Sequence, residues 1–351
     1  SMGTNGNDLL IADYSAATID VTFGFLSATG GTYDYYSNGF NGAQYSDAAG
    51  GGRLCSGVDR FNVVNGSGND SIATGSGDDT ISSGSGNDLL DSGSGKASID
   101  GGAGIDQWKG SLLSLGLSTG VSIDLSDPSL AQALTGGSSI RNVERLDLVT
   151  TDHDDTIVLG AAAAAYGNNL DTRDGDDTVT IHGGATGAAS GVNTVSMGTN
   201  GNDLLIADYS AATVDVTFGF LSATGGTSDY YSNSFNGAQY AGTASGLLQF
   251  SDVDRVNVAT GSGNDSIATG AGDDTISSGN GNDLLDSGSG KASIDGGAGI
   301  DQWKGSLLSL GLPAGVSIDL SDPSVTQVLT GGSSLKDIER LDLVTTNHDD
   351  T

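Results

Sequence analysis

Apolar residues recur every nine positions between residues 65 and 109, and mostly glycine and polar residues lie between them. This stretch reads NGSGNDSIA, TGSGDDTIS, SGSGNDLLD, SGSGKASID and GGAGIDQWK, five nine-residue blocks laid end to end. Glycine occupies positions two and four of each block, and an apolar residue occupies position eight: Ile72, Ile81, Leu90, Ile99 and Trp108. The spacing predicts a turn and a short strand in each block, and therefore an all-β solenoid. A flexible glycine and serine linker is the alternative, but a linker gives no reason for apolar residues in a constant phase.

Aspartate shares the phase of the blocks, because it occupies position six in all of them except the fourth. Glycine permits backbone angles that other residues avoid, and it lets carbonyl oxygens approach a common centre. Carboxylate and carbonyl oxygens are the hard ligands that calcium prefers. The blocks resemble the RTX (hemolysin-type) calcium-binding nonapeptide, GGxGxDxUx, which forms a parallel β-helix.

The resemblance implies a parallel β-roll or β-helix solenoid in which two blocks form one coil and calcium ions lie between stacked turns. Turns on the same side are then two blocks apart in sequence and stack at about 4.8 Å. By this resemblance, the ligands are backbone carbonyls of the first four turn positions and the aspartates at position six. The implied metal ligands of the first run are Asn65, Gly66, Ser67, Gly68, Asp70, Thr74, Gly75, Gly77, Asp79, Ser83, Gly84, Ser85, Gly86, Asp88, Gly101, Gly102, Ala103, Gly104 and Asp106.

The chain also repeats on a larger scale, since residues 1–156 reappear as residues 196–351 without insertion or deletion. We therefore predict a first tandem unit, 1–195, with core nonapeptides 65–109, and a second, truncated copy, 196–351, with core nonapeptides 260–304. We expect the chain to be a piece of a longer repetitive polypeptide. The corresponding metal ligands of the second copy are Thr260, Gly261, Gly263, Asp265, Gly270, Gly272, Asp274, Ser278, Gly279, Asn280, Gly281, Asp283, Gly297, Gly299 and Asp301.

Four aspartates outside the two runs lie in similar segments. Asp8 and Asp203 belong to GTNGNDLLI, Asp177 belongs to TRDGDDTVT, and Asp155 belongs to TDHDDTIVL. Each segment is either a further calcium-binding turn or an ordinary corner of the solenoid. The fourth block of each run, SGSGKASID, has Lys-Ala in place of the usual residue and aspartate. This turn is either an empty or weak metal site, or a site where the lysine ammonium replaces the ion.

Several excursions interrupt the strands. We predict a short helix with Asp127 as N-cap and Gly136 as its end, and one helical turn over residues 161–165. Tyrosines concentrate in residues 33–45 and 230–240, which form either a ligand-binding loop or a cover packed on the solenoid. Alternating apolar residues in two flanking strands are expected to face inward. These inward residues are Phe61, Val63, Leu146 and Leu148.

The composition restricts the partners. A formal net charge of −32 excludes unaided binding to nucleic acid or an anionic membrane. No apolar run is long enough to insert in a bilayer, and the single cysteine, Cys55, excludes a disulfide framework. The chain starts without a charged and apolar leader, which fits both the C-terminal signal of type I secretion in RTX proteins and an excised fragment. One apolar residue per block gives a thin core, so we expect calcium binding to drive folding.

These observations favour a structural role over an enzymatic one. Three histidines and no GxSxG, HExxH or Cys-His arrangement give no basis for catalysis. We expect a calcium-binding extender or scaffold segment of a large secreted bacterial RTX protein, such as an adhesin or a surface-layer protein. Its partners are calcium ions and neighbouring repeats, and its location is extracellular or at the cell surface. The alternative is a calcium-dependent module of an adhesin that binds glycans or cell-surface components.

Overall fold

A computed structural model describes residues 7–24, 41–45, 53–55, 58–185, 191–220, 236–240, 248–270 and 272–351. Within these residues the chain is almost entirely β-strand, and most neighbouring strands pair in parallel. The predicted all-β class is therefore confirmed. In this described part, no helix has both the length and the apolar character needed to cross a membrane.

The strands up to residue 171 are short, as the block spacing predicts. They are β1 (Leu9–Asp13), β2 (Val21–Gly24), β3 (Asn41–Tyr45), β4 (Arg53–Cys55), β5 (Arg60–Val64), β6 (Ser71–Ala73), β7 (Asp79–Ser82), β8 (Leu89–Ser94), β9 (Ala97–Asp100), β10 (Gln107–Ser111), β11 (Ser122–Leu125), β12 (Gln132–Ala133), β13 (Ser139–Arg141), β14 (Arg145–Val149), β15 (Thr156–Leu159) and β16 (Asn169–Asp171).

The strands after residue 171 repeat this pattern. They are β17 (Thr178–His182), β18 (Asn193–Ser196), β19 (Leu204–Asp208), β20 (Val216–Phe220), β21 (Asn236–Tyr240), β22 (Leu248–Ser251), β23 (Arg255–Ala259), β24 (Ser266–Ala268), β25 (Asp274–Ser277), β26 (Leu284–Ser289), β27 (Ala292–Asp295), β28 (Gln302–Ser306), β29 (Gln327–Val328), β30 (Ser334–Lys336) and β31 (Arg340–Val344).

The chain folds as two compact units, Ser1–Thr156 with Asn169–Arg173, and Ile157–Asn168 with Asp174–Thr351. The division therefore falls before the repeat boundary at residues 195 and 196. The reason is strand pairing, because β17 pairs with β19 and β18 pairs with β22 in the second unit. The predicted division into repeats 1–195 and 196–351 describes the sequence, and it stays a prediction for the folded protein.

Most strands of each unit lie in two sheets. In the first unit one sheet has the order β1-β5-β7-β9-β13-β12, and the other has β4-β3-β2-β6-β8-β10-β14-β16. Pairing is antiparallel only at β12–β13 and along β2–β3–β4 among the pairs of these two sheets. In the second unit the corresponding orders are β15-β17-β19-β23-β25-β27-β30-β29 and β31-β28-β26-β24-β20-β21-β22-β18.

The register shows that two blocks form one coil. Ile72 lies opposite Leu90, and Leu90 lies opposite Trp108, so successive strands of one sheet are 18 residues apart. In the facing sheet Ile81 lies opposite Ile99 at the same interval. All five residues are buried, and so are the four flanking residues predicted to face inward, Phe61, Val63, Leu146 and Leu148. Within the blocks, the core is therefore a ladder of one large apolar side chain per block.

Helical structure is scarce in the described residues. One helical turn, α1 (Ala161–Ala164), lies where it was predicted, and three 3-10 turns cover Leu113–Leu115, Thr135–Gly137 and Leu308–Leu310. The helix predicted after Asp127 is wrong. The carboxylate of Asp127 accepts hydrogen bonds from the backbone N–H and the hydroxyl of Ser129, at 3.1 and 2.6 Å, as an N-cap residue would, but the chain continues as a turn. The following residues form β12, which pairs with β13.

Candidate metal centre

The turns of alternate blocks stack directly on one another. In the first copy the turns at residues 65–70, 83–88 and 101–106 form one stack, here called the odd column, and those at 74–79 and 92–97 form the even column. Single parallel bridges join Ser67 to Ser85 and Ser85 to Ala103 in the odd column. The N–H of Gly68 donates to the carbonyl oxygen of Ser85 at 2.9 Å, and Ser85 donates to Gly66 at 2.9 Å. Backbone carbonyls of successive turns are thereby brought into rows.

Where one turn lies directly on another, as at Gly84 and Gly86, the close stacking requires glycine at positions two and four. A Cβ atom on Gly84 would lie 2.0 Å from the carbonyl oxygen of Gly66, and one on Gly86 would lie 1.8 Å from that of Gly68. Both glycines also have positive φ angles, 100° and 131°, which other residues rarely adopt. Any side chain here would push the turns apart and remove the carbonyl oxygens from a common centre.

The position-six aspartates link each turn to the one before it. The backbone N–H of Asp70 donates to Oδ1 of Asp88 at 2.7 Å, and that of Asp88 donates to Oδ1 of Asp106 at 2.8 Å. In the second copy Asp265 donates to Asp283, and Asp283 to Asp301, both at 2.8 Å. These aspartates are almost fully buried, with at most 3% of each residue exposed. The odd column is therefore a buried ladder of carboxylates.

The second carboxylate oxygen of each ladder residue, Oδ2, is buried and has no hydrogen-bond partner. This holds in both columns of the first copy and in the corresponding turns of the second copy, for Asp70, Asp79, Asp88, Asp106, Asp265, Asp274, Asp283 and Asp301. An ionised oxygen buried without a partner is costly, because it has lost water and gained nothing in exchange. A bound cation removes this cost, since buried charges are otherwise paired or ligate metals.

Burial also raises the pKa of these carboxyl groups. Loss of solvation raises the pKa of Asp79 to about 6 and that of Asp106 to about 7. In the second copy the pKa of Asp301 rises to about 6 for the same reason. In several blocks the polar side chain at position one opposes this rise in pKa, as Thr74 does for Asp79. The fifth block has glycine at position one and therefore lacks such a side chain. Without a cation, these carboxyl groups therefore keep a proton up to a higher pH than exposed aspartates do.

The donor set fits calcium. Carboxylate and carbonyl oxygens are hard ligands, and calcium takes six to eight of them at about 2.3–2.6 Å. In the described part of the chain, no group of three or more His, Cys, Asp or Glu side chains is placed to hold a metal ion. Backbone carbonyls must then supply much of the coordination shell, which the glycine stacking makes feasible.

The comparison with known protein families agrees with this geometry. The RTX calcium-binding nonapeptide repeat matches residues 64–96 and 260–291. These segments are RTX calcium-binding repeats. Both matches end at the fourth block, yet the structure continues the RTX ladder through Asp106 and Asp301 of the fifth block. A search of curated proteins returned no match to the chain.

The fourth RTX block interrupts the even column. The N–H of Asp79 donates to the carbonyl oxygen of Lys96 at 2.9 Å, instead of to a carboxylate. Ala97 is buried, and its N–H donates to the hydroxyl of Ser138 at 3.2 Å. In the second copy the Lys291 ammonium lies 3.5 Å from the exposed carboxylate of Asp273. This contact favours a lysine that points outward over one that replaces the ion.

Candidate ligands beyond the runs fall into two groups. The turns of Asp177 and Asp203 stack as RTX turns do, since the N–H of Asp177 donates to Oδ1 of Asp203 at 2.9 Å. A Cβ on Gly201 would lie 1.8 Å from the carbonyl oxygen of Gly175, and burial raises the pKa of Asp203 to about 7. Asp8 is partly exposed, and its N–H donates to Oδ2 of Asp59 at 2.7 Å. Calcium at these three residues stays a prediction.

Asp155 differs because hydrogen bonds occupy both of its oxygens. Oδ1 accepts from the N–H of Val121 at 2.6 Å and from the hydroxyl of Thr151 at 2.9 Å. Oδ2 accepts from the N–H of Thr151 at 3.0 Å and from the hydroxyl of Thr150. These donors stabilise the carboxylate without a metal, so the geometry favours an ordinary solenoid corner here.

Sequence reasoning missed two acidic residues of the first copy that act in the stacks. Asp59 accepts the N–H of Asp8 at 2.7 Å, and Glu144 accepts the N–H of Asp106 at 2.8 Å. Neither belongs to a nonapeptide, but both follow valine and precede arginine in the related segments VDRFNVV and VERLDLV. That shared acidic position is the signal that identifies them. The tyrosine-rich residues 33–40 and 230–235 lie outside the described residues, so ligand binding there stays a prediction.

Proposed function

We propose that this chain is a structural segment of a secreted protein, and that its RTX repeats fold when they bind calcium outside the cell. One observation carries the proposal: eight buried carboxylate oxygens lie in stacked turns without a hydrogen-bond donor. Calcium, when bound, supplies positive charge and crosslinks between turns. The ladder aspartates hold the turns in register, and the stacked glycines admit the carbonyl oxygens that complete the shell.

The energetics support coupling of folding to calcium. Within the nonapeptides the inner wall contains one large apolar side chain per block, so burial of apolar surface there offsets little of the backbone entropy lost on folding. The net charge of −32 further opposes a compact state. Extracellular calcium modules commonly bind with a Kd of about 0.1–1 mM. The chain is then unfolded at the low free calcium of the cytosol and folded outside the producing cell.

The proposed role is that of an extender or scaffold, as in an adhesin or a surface-layer protein, rather than that of an enzyme. Two nearly identical copies in tandem support it, because repeats lengthen a structure and stack through neighbour contacts. The copies also reproduce the same ladder of hydrogen bonds, from Asp70 to Asp106 and from Asp265 to Asp301.

Circular dichroism during a calcium titration tests the coupling. We expect a disordered spectrum in chelator and a cooperative change to β structure at millimolar calcium. Magnesium should substitute poorly, because it requires a small octahedral shell and loses water reluctantly. A β spectrum that chelator leaves unchanged would contradict the proposal.

Force spectroscopy on the full chain tests the extender role. Calcium should raise the force at which each copy unfolds, since the turns are then crosslinked. Equal unfolding forces with and without calcium would contradict a load-bearing role. Calcium-dependent binding to a glycan array that Tyr35→Ala abolishes would instead favour the alternative, a ligand-binding module.

A further inference from the structure

We propose that each copy contains one more calcium site outside the nonapeptides, between the turn of the fifth block and the next turn of the same column. In the first copy that next turn is Asn142–Glu144, and in the second copy it is Asp337–Glu339. The inference deepens the proposed function and rests on it. It assigns Glu144 and Glu339 as ligands that end the carboxylate ladder.

The two turns stack as RTX turns do. The N–H of Gly101 donates to the carbonyl oxygen of Arg141 at 3.0 Å, and the N–H groups of Glu144 and Arg145 donate to that of Asp106 at 3.0 and 2.9 Å. The N–H of Asp106 donates to Oε2 of Glu144 at 2.8 Å. This last bond repeats the step from Asp70 to Asp88, with glutamate in place of aspartate.

Two oxygens converge at the edge of this site. Asp106 is fully buried, and its Oδ2 atom has no hydrogen-bond partner. A Cβ atom on Gly101 would lie 2.7 Å from this Oδ2 and 2.0 Å from the carbonyl oxygen of Asn142. The two oxygens are therefore within about 5 Å of each other, which one calcium ion can bridge with bonds of about 2.3–2.6 Å.

The second copy has the same arrangement although its turn differs in sequence. The N–H of Asp301 donates to Oε2 of Glu339 at 2.7 Å. A Cβ atom on Gly296 would lie 2.9 Å from Oδ2 of Asp301 and 2.1 Å from the carbonyl oxygen of Asp337. Asp301 is also fully buried with an unpartnered Oδ2. Asparagine at one turn and aspartate at the other leave the geometry unchanged, because the backbone carbonyl faces the site.

The chemistry of the site selects calcium. Two carboxylates and a carbonyl are all oxygen donors, and a cation stabilises two negative charges that lie so close together. The side chain of Asn142 is occupied elsewhere, since it donates to Asp100 at 2.7 Å. The glutamate, longer than aspartate by one methylene, reaches the ladder from a turn that lacks the glycine pattern. Flexible coordination by mixed oxygens suits calcium better than magnesium.

The test counts calcium ions bound to the full chain by equilibrium dialysis, in the parent and in the variant Glu144→Gln with Glu339→Gln. Glutamine keeps a side-chain oxygen that accepts the N–H of Asp106 or Asp301, but it removes the charge. We expect the variant to fold in calcium and to bind one ion fewer per copy. The matched control is Asp147→Asn with Asp342→Asn, which removes two charges from β14 and β31 and should leave the count unchanged.

The possible outcomes are distinct. An unchanged count in the glutamine variant overturns this inference while the proposed function stands. A parent chain that binds no calcium overturns both. If the glutamine variant does not fold, anomalous diffraction from crystals of the parent grown in calcium decides. A peak between Asp106 and Glu144 supports the site, and its absence beside occupied nonapeptide sites overturns it.

Discussion

The backbone N–H of Asp70 donates to Oδ1 of Asp88 at 2.7 Å, across 18 residues of sequence. One side chain thus serves two turns, since its first oxygen holds the preceding turn and its second is left for a cation. Removal of the charge and removal of the acceptor are therefore separable by mutation. The aspartate ladder holds the register of the coils, and under the proposed function it also contributes to metal affinity.

Replacement of Asp88 separates these two contributions. Asp88→Asn should raise the calcium concentration needed for folding but keep an acceptor for the N–H of Asp70. Asp88→Ala should cost about 1–3 kcal/mol more in the free energy of unfolding at saturating calcium, because that buried N–H loses its partner. Urea unfolding measures the difference. The control is Asp78→Asn at an exposed position, and equal stabilities of the alanine and asparagine variants would contradict the ladder.

Two glycines at the same block position provide a test of the close stacking. A Cβ atom added to Gly84 would lie 2.0 Å from the carbonyl oxygen of Gly66, whereas one added to Gly75 would have no atom within 4 Å. Both glycines have positive φ angles. Gly75→Ala should therefore cost only the backbone strain, about 1–2 kcal/mol. Gly84→Ala should cost at least about 3 kcal/mol, because overpacking adds to the strain. Thermal unfolding in calcium measures both, and a smaller loss for Gly84→Ala than for Gly75→Ala would contradict the stacking.

Acidification should have opposite effects without and with calcium. It should stabilise the calcium-free fold, but it should weaken folding that depends on calcium. Burial raises the pKa of Asp79 to about 6 and that of Asp106 to about 7, from an ordinary value of 3.8. The folded state without calcium thus binds more protons, so its stability is greatest below about pH 4 and falls as the pH rises through about 6–7. Protons compete with calcium at these oxygens, so the calcium midpoint should rise as the pH falls from about 8 to about 5.5.

Calcium titrations at several pH values, followed by circular dichroism, measure this midpoint. Calorimetry in two buffers with different heats of ionisation measures the protons released on binding. A calcium midpoint that is independent of pH over this range would contradict the assignment of the buried carboxylates as ligands. The calcium-free chain is the control, and its residual structure should increase on acidification.

Repair of the fourth block should create a metal site. Lys96→Asn with Ala97→Asp restores the consensus opposite Asp79, where the N–H of Asp79 now donates to the carbonyl oxygen of Lys96. The variant should bind one additional calcium ion and gain about 1.4 kcal/mol at a free calcium concentration of about ten times Kd. Lys291→Asn with Ala292→Asp is the equivalent change in the second copy. Calorimetric titration counts the ions, and an unchanged count in both variants would contradict the prediction.

The nine-residue period predicted the fold well because each block repeats the same local physics. Glycine spacing, the buried apolar residue at position eight and the interval of 18 residues between stacked turns all follow from it. Within the blocks, the sequence also indicates which aspartates join the buried ladder, since Asp70 and Asp88 occupy the same block position.

Other features depend on contacts that the local sequence does not specify. Asp155 shares the phase of a ligand, but Thr150 and Thr151 supply donors to its carboxylate. Glu144 lies in no nonapeptide and reaches the ladder only because its turn stacks on the fifth block. The helix predicted after Asp127 is absent because Gln132 and Ala133 pair with the strand Ser139–Arg141, although Asp127 accepts the N–H of Ser129 as an N-cap residue would.

The two tryptophans of the chain, Trp108 and Trp303, provide an intrinsic optical probe in each copy. Both are fully buried, and each indole N–H donates to a serine hydroxyl of the preceding block at 2.9 Å. When the coils fold, the tryptophan emission should therefore shift to the blue, and the indole rings should become inaccessible to soluble quenchers. Because the two indoles are equivalent, Trp108→Phe or Trp303→Phe silences one copy without a change in charge. Each copy can then be observed alone by stopped-flow fluorescence, which shows whether the two fold in one event or in succession after calcium is added.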